Sequence, residues 1–258
     1  GDAATFTATG AFALGAASRD AAIVSTLGAG GYSAVVGAGT GAGVALLEVY
    51  DTDALDSSAK LMNASTRAFV GTGEQVLIPG FVVSGTGTVR LLLRAVGPTL
   101  AGFGVEGALT DPQMTLFQSA TTIGTNDNWN SAANAAEIAA AATQSGAFAL
   151  ASGSRDAAML VNLAAGSYTV TVSGVGATTG TALVELYVVN SVVAEPLPAP
   201  TEREAVPLQG EDRPTYSGPT IIYHAERTVR IYRGSLASSP SFFRSEEICT
   251  SIERSKTS

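Results

Sequence analysis

Residues 10–32, GAFALGAASRDAAIVSTLGAGGY, return as residues 146–168, GAFALASGSRDAAMLVNLAAGSY, with 14 of 23 positions identical. The copies stay parallel as far as LLEVYD (46–51) and LVELYV (183–188), with one extra residue in the later copy. Only the later copy has a long segment in front of it to complete a unit. The chain therefore reads as half a unit, then a whole unit, then something unrelated. A half unit carries an apolar strand face without the strands that would cover it, and such a face seeks a partner.

The repeat has the period of β structure. In SYTVTVSG (167–174), Tyr168, Val170 and Val172 fall on one face and Thr169, Thr171 and Ser173 on the other, as in a strand with one buried side. TVRLLLRAV (88–96) sets Val89, Leu91, Leu93 and Ala95 against Arg90, Leu92 and Arg94, so its second face also expects cover. Further strands are expected at 66–70, 75–84, 113–118, 147–151, 157–163 and 181–189. Pro79-Gly80 marks a bulge or an edge, since proline has no N–H to give a ladder. SAANAAEIAAAATQSG (131–146) predicts one short helix, with Ser131 as N-cap and Gly146 just past its end. Many short strands with a single helix predict an all-β fold, an antiparallel β-sandwich or jelly roll. Residues 59–190 would be the complete unit, 1–58 the half repeat with an acidic linker, and 191–258 a Pro-rich linker with a partly extended tail.

Composition narrows the setting. With 46% hydrophobic residues the chain can bury a core, yet no apolar run nears the ~18 residues of a membrane span. Membrane insertion is not expected. Lysine occurs only at 60 and 256 among abundant Ala, Gly, Thr, Ser and Val, a usage that suits secreted bacterial β proteins. Cys249 is the sole cysteine, so no intrachain disulfide staples the fold. A net charge of −8 argues against nucleic acid, whose phosphates need clustered Lys and Arg. The tail is compositionally distinct: residues 201–258 hold 8 basic and 8 acidic residues, whereas 1–200 hold 6 and 14. AEPLPAP (194–200) is a spacer, TIIYHAERTVRIYRGS (220–235) alternates like a β-hairpin, and the chain from Leu236 onward reads, taken alone, as disordered.

The run LMNASTRAFVGTGEQVLIPGFVVSGTGTVRLLLRAVGPTLAGFGVEGALTDPQMTLFQ (61–118), with GTNDNWN, AGSYTVTVSG and ALVELY after it, resembles a β-sandwich repeat found in tandem in large secreted proteins of environmental bacteria. From MTLFQ onward it is also similar to bacterial pre-peptidase C-terminal domains. The resemblance spans 59–190 as a unit and 5–51 as a half unit, roughly two thirds of the chain. It implies an extracellular, non-catalytic module used for adhesion, glycan contact or structural spacing. These families share no agreed functional residue set, so the resemblance assigns no site.

The inventory of reactive side chains is sparse. His224 is the only histidine and lies in the tail, so any catalytic triad would have to assemble around it. One His and one Cys cannot make a four-ligand zinc site. Calcium needs only oxygens, and two stretches offer them: DTDALD with Asp51, Asp53 and Asp56, and NDNWN with Asp127. Neither follows an EF-hand loop, and the simpler readings are an acidic linker and a turn. Trp129 beside Asp127 and Asn128 offers a platform for a sugar face, against the simpler reading of a buried ring anchoring the helix. GAGTGAG (37–43) reads as a hairpin loop rather than a phosphate cradle, because it joins two strand-like segments. Ser-Arg-Asp at 18–20 and 154–156, and Glu48 with Glu185, recur in both copies, which suits a fold requirement such as an Arg-carboxylate turn.

No enzyme is expected. The expectation is a structural protein at the cell surface or outside the cell, a subunit of a filament or other homopolymer whose N-terminal half packs on the sheet of another copy. The alternative is a carbohydrate-binding or adhesion module with a polysaccharide partner. No cofactor is required by either, calcium standing as the one candidate.

Overall fold

The structure, a computed structural model, describes residues 3–37, 45–52, 59–189, 220–222 and 248–256. The elements in chain order are α1 (Ala3–Thr9), β1 (Gly30–Val36), β2 (Ala59–Val70), β3 (Gly80–Val96), β4 (Pro112–Gln118), β5 (Thr121–Asn126), α2 (Ala135–Gln144), β6 (Ala157–Gly174), β7 (Gly180–Val188), β8 (Thr220–Ile222) and β9 (Ile248–Lys256). The protein is mostly β. Among the described residues nine strands form one sheet in the order β1-β9-β2-β7-β3-β6-β4-β5, with β8 beside β3. Every ladder between named strands is antiparallel.

Two long strands organise this sheet. β3 has 17 residues and β6 has 18, and they pair twice, Gly80–Val83 with Gly166–Thr169 and Thr88–Ala95 with Ala157–Ala164. The register breaks between Val83 and Thr88. Gly85 and Gly87 sit in that break at φ 95° and 86°, backbone that glycine enters without a Cβ penalty. On one side of the break Leu91–Val96 also pairs with β7; on the other, the end of β6 pairs with β4. Each long strand thus belongs to two strand neighbourhoods, and one hydrophobic cluster joins them, with Leu91, Leu93, Val184 and Leu186 from the first and Phe81, Leu116, Val170 and Val172 from the second. All seven positions named by the alternation, Val89, Leu91, Leu93, Ala95, Tyr168, Val170 and Val172, are buried.

The second face of β3 is covered by α2. Ile138, Ala141 and Ala142 pack on Leu92, Ala158 and Tyr187, with Trp129 and Leu160 at the margin. Gly146 follows the helix at φ 72°, a left-handed position that ends it. At its start Asn134 rather than Ser131 holds the N-cap position, without a side-chain capping bond, because Trp129–Ser131 forms a 3-10 turn where the first turn was expected. α1 is a second helix that the composition did not announce; its threonines bond back onto it, Thr7 Oγ1 donating to Ala3 O and Thr9 Oγ1 to Thr5 O.

Three strand expectations need correction. Residues 147–151 lie outside any strand, and the carbonyl of Phe148 is taken by the Arg94 side chain instead of a ladder. The strand expected at 75–84 begins only at Gly80; ahead of it Gly73–Gln75 is a 3-10 turn, Leu77 makes an isolated bridge to Val172, and Pro79 contributes only its carbonyl, to Val170 N. The tail is not wholly without structure from Leu236: β9 lies between β1 and β2, where open edges on both sides supply the hydrogen-bond partners that its own sequence could not advertise. Of the hairpin expected at 220–235, Thr220–Ile222 pairs with Ser84–Val82. The rest, with His224, GAGTGAG from residue 38, and Asp53 and Asp56, lies outside the described residues.

Leu91 is fully buried whereas Ile23 is 90% exposed. Leu91→Ala is expected to cost about 2–5 kcal/mol in a urea titration, and Ile23→Ala to stay within about 0.5 kcal/mol. A Leu91→Ala chain as stable as the parent would contradict the assignment of the core.

Candidate functional site

Residues of the two repeat copies adopt the same local geometry in different surroundings. Ser18 N donates to Gly15 O at 2.9 Å, and Ser154 N to Ala151 O at 3.0 Å. Tyr32 OH donates to Gly28 O at 3.3 Å, and Tyr168 OH to Ala164 O at 2.9 Å. Tyr50 OH donates to Glu48 Oε1 and Tyr187 OH to Glu185 Oε1, at 3.2 and 2.7 Å. Each of these bonds joins residues two to four apart, so local sequence suffices to form it.

Long-range partners distinguish the copies. In the later copy Asp156 is fully buried. Its carboxylate accepts from Gly97 N at 2.8 Å, Thr99 N at 3.3 Å, Ser154 Oγ at 2.7 Å, and the Thr99 hydroxyl. Arg155 pairs with Asp111 at 2.9 Å, which gives the recurrent Ser-Arg-Asp the structural role expected of it here. Arg94, also fully buried, donates from Nε to Glu185 Oε2 at 2.8 Å and from Nη1 to Phe148 O at 2.6 Å. Its guanidinium lies 4.2 Å from the centre of the Phe148 ring. Apart from Ser154, every one of these partners of the later copy comes from β3 or the turn and loop after it.

Asp20, the counterpart of Asp156, is exposed. Ile23 and Val24 are 90% and 57% exposed, and their counterparts Met159 and Leu160 stand opposite Leu93 and Leu92 on β3. Residues 21–28 form no strand, although AAMLVNL at 157–163 does. Five of the eight large apolar side chains exposed among the described residues, Phe12, Ile23, Val24, Val35 and Leu46, belong to the half unit. β1 pairs in cis with the tail strand β9. Leu47 and Val49 line a cavity of about 80 Å³ with Phe81, Leu93, Met114 and Leu186 of the complete unit. This chain thus partly covers the end of its half unit and leaves residues 10–28 the most open.

The residues nominated for ligands are dispersed. Asp51 and Asp127 lie on different parts of the chain, and among the described residues no three His, Cys, Asp or Glu side chains gather into a metal-holding group. Asp127 is exposed. Trp129 is half-buried beside α2; its Nε1 donates to Ala151 O at 3.2 Å and Ser154 Oγ at 3.1 Å, so the ring anchors the helix and the turn before Asp156. The buried Arg94–Glu185 contact was missed in the sequence, where Arg94 showed only as a charge on the second face of a strand. Comparison with known protein families and with curated proteins finds no match for this chain.

Burial pushes the Glu185 carboxyl above its ordinary value of 4.5, against the opposing pull of Arg94 and of the Tyr187 hydroxyl. A raised folded-state value means that the folded chain holds more protons than the unfolded one as pH climbs past 4.5. Glu185 then contributes most below its unfolded pKa, and that contribution is lost as pH rises through the raised value. The parent should therefore lose stability relative to Glu185→Gln over that rise, as followed by denaturation across pH; a constant difference would refute the direction. Arg94→Ala strands a buried carboxylate and should cost about 3–5 kcal/mol, far more than replacing both partners with Met and Leu.

Proposed function

We propose that this chain is a non-catalytic structural module of an extracellular or cell-surface assembly, built on a β-sandwich repeat of the tandem kind it resembles, with the N-terminal half unit as its joint. The carrying observation is that Ile23, Val24 and Phe12, exposed in the first copy, have counterparts in the second that are buried, Met159, or half-buried, Leu160 and Phe148. A soluble chain gains nothing by holding Ile23, Val24 and Phe12 in water unless another surface covers them. The two strand neighbourhoods that share one core support a sheet folded over into two layers. No disulfide is needed if association adds to stability by mass action. The single histidine and single cysteine leave little from which to assemble acid-base or thiol chemistry. In its simplest form the module associates with further copies of itself head to tail, giving a filament where the operation does not close. The carbohydrate reading has less beneath it, since the Trp129 indole is committed to α2 and its turn.

Native mass spectrometry of the full chain at micromolar concentration is the direct test. Species larger than one chain are expected, and deletion of residues 1–51 should leave a folded unit that no longer associates. A full chain that stays monomeric would overturn the self-assembly form of this reading.

A further inference from the structure

We infer that β9 is an exchangeable strand, and that the slot it fills between β1 and β2 takes the same strand of a second copy of this chain. The inference rests on the assembly reading and names the segment through which copies join.

β9 holds an inner place in the sheet although it is the last strand in sequence. Ile248–Arg254 runs antiparallel to Gly30–Val36 of β1, and Cys249–Lys256 runs antiparallel to Ala59–Arg67 of β2. In the sheet order β1 neighbours β9, and β2 lies between β9 and β7. Withdrawal of β9 therefore opens an edge on each neighbour, and an open edge is a template for another strand. Little apolar anchorage opposes that withdrawal. Of the nine residues of β9, ICTSIERSK, only Ile248 and Ile252 are large and apolar. β3 and β6, by contrast, supply Leu91, Leu92, Ala157 and Val172, all fully buried. A strand held mainly by its ladders opens at a lower free energy than the core beside it.

A second copy as occupant follows from identity and reach. The β9 of another molecule makes the same two ladders in the same register, so closed and exchanged pairings have equal contacts. β8 is tied to Val82–Ser84 of β3, and the 25 residues 223–247 connect it to β9. A chain of that length spans at most roughly 85 Å when extended, enough to enter the sheet of a neighbouring molecule. The balance between the two pairings is set by the concentration of neighbours against the local concentration that the connection gives its own strand. Crowding on a surface raises the exchanged share. Reciprocal exchange closes a dimer, and one-way exchange continues as a filament.

Cys249, the sole cysteine, lies opposite Arg67 of β2 and Val35 of β1, which supplies a trap. An acceptor chain carrying Arg67→Cys and Cys249→Ser is mixed with the unaltered full chain in oxidised glutathione. A disulfide-linked heterodimer is expected, with its bond mapped between positions 67 and 249 by mass spectrometry. Its yield should exceed at least tenfold that of a control acceptor carrying Ile123→Cys and Cys249→Ser, whose new thiol lies on β5 at the other end of the sheet order. A second acceptor, Val35→Cys with Cys249→Ser, guards against an Arg67 variant that fails to fold. Yields from both acceptors no higher than the control overturn the inference. A chain that is monomeric by native mass spectrometry yet gives the trapped heterodimer upholds exchange of β9 while the homopolymer form of the proposed function fails. A chain that assembles but gives no trapped heterodimer upholds self-assembly while the inference fails.

Discussion

Residues 157–164 of β6 run along residues 88–95 of β3, and from that ladder the other contacts of the unit follow. It brings Met159 and Leu163 into the main cluster and Ala158 and Leu160 under α2. It also carries Asp156 to the turn at Gly97 and, through the alignment of β3 with β7, Arg94 to Glu185. A Cβ on Gly97 would lie 2.1 Å from Leu109 O, so the turn that receives Asp156 is built for close backbone approach. Alternating patterns recur along both strands, and a slip of one residue would turn every apolar side chain to the wrong face.

The buried charges are weak evidence for net stability. Desolvating an arginine and a carboxylate costs several kcal/mol per ion, which their attraction in the interior only offsets when geometry and further hydrogen bonds are good. Arg94 has these in part: Nε bonds Glu185, Nη1 bonds Phe148 O and the guanidinium lies over the Phe148 ring, while Nη2 finds no hydrogen bond. In a shifted register these groups would be buried without partners. The exposed pair Arg90–Glu137 at 2.6 Å ties α2 to β3, but solvent screening leaves such a contact worth roughly 0–1 kcal/mol.

Strands and core were legible because alternation reports burial directly, as with Tyr168, Val170 and Val172, and the helix was legible in its alanine run. What escaped depends on partners distant in sequence. Phe148 sits in a strand-like stretch yet gives its carbonyl to Arg94, and no local pattern signals that. β9 pairs with β1 and β2, edges that exist only once the sheet is assembled. The duplication alone identified the earlier copy, whereas which of its residues are exposed required the fold.

The two copies separate what local sequence determines from what a partner determines. Hydrogen bonds over two to four residues, such as Ser18 N to Gly15 O and Tyr32 OH to Gly28 O, form in both. The strand at 157–163 forms in one, where backbone N–H and C=O groups find a ladder; 21–28 in the other forms no strand. Ordering such a segment costs about 1–2 kcal/mol per residue, while covering a side chain such as Ile23 or Val24 returns about 1.5–3 kcal/mol. These terms are of the same order. The outcome then turns on contacts that only a matched surface supplies: the ladder itself and donors for Asp20 like those Gly97 and Thr99 give Asp156. A generic apolar surface offers the first kind of gain without the second, so under the assembly we propose it is the polar groups that would discriminate among partners.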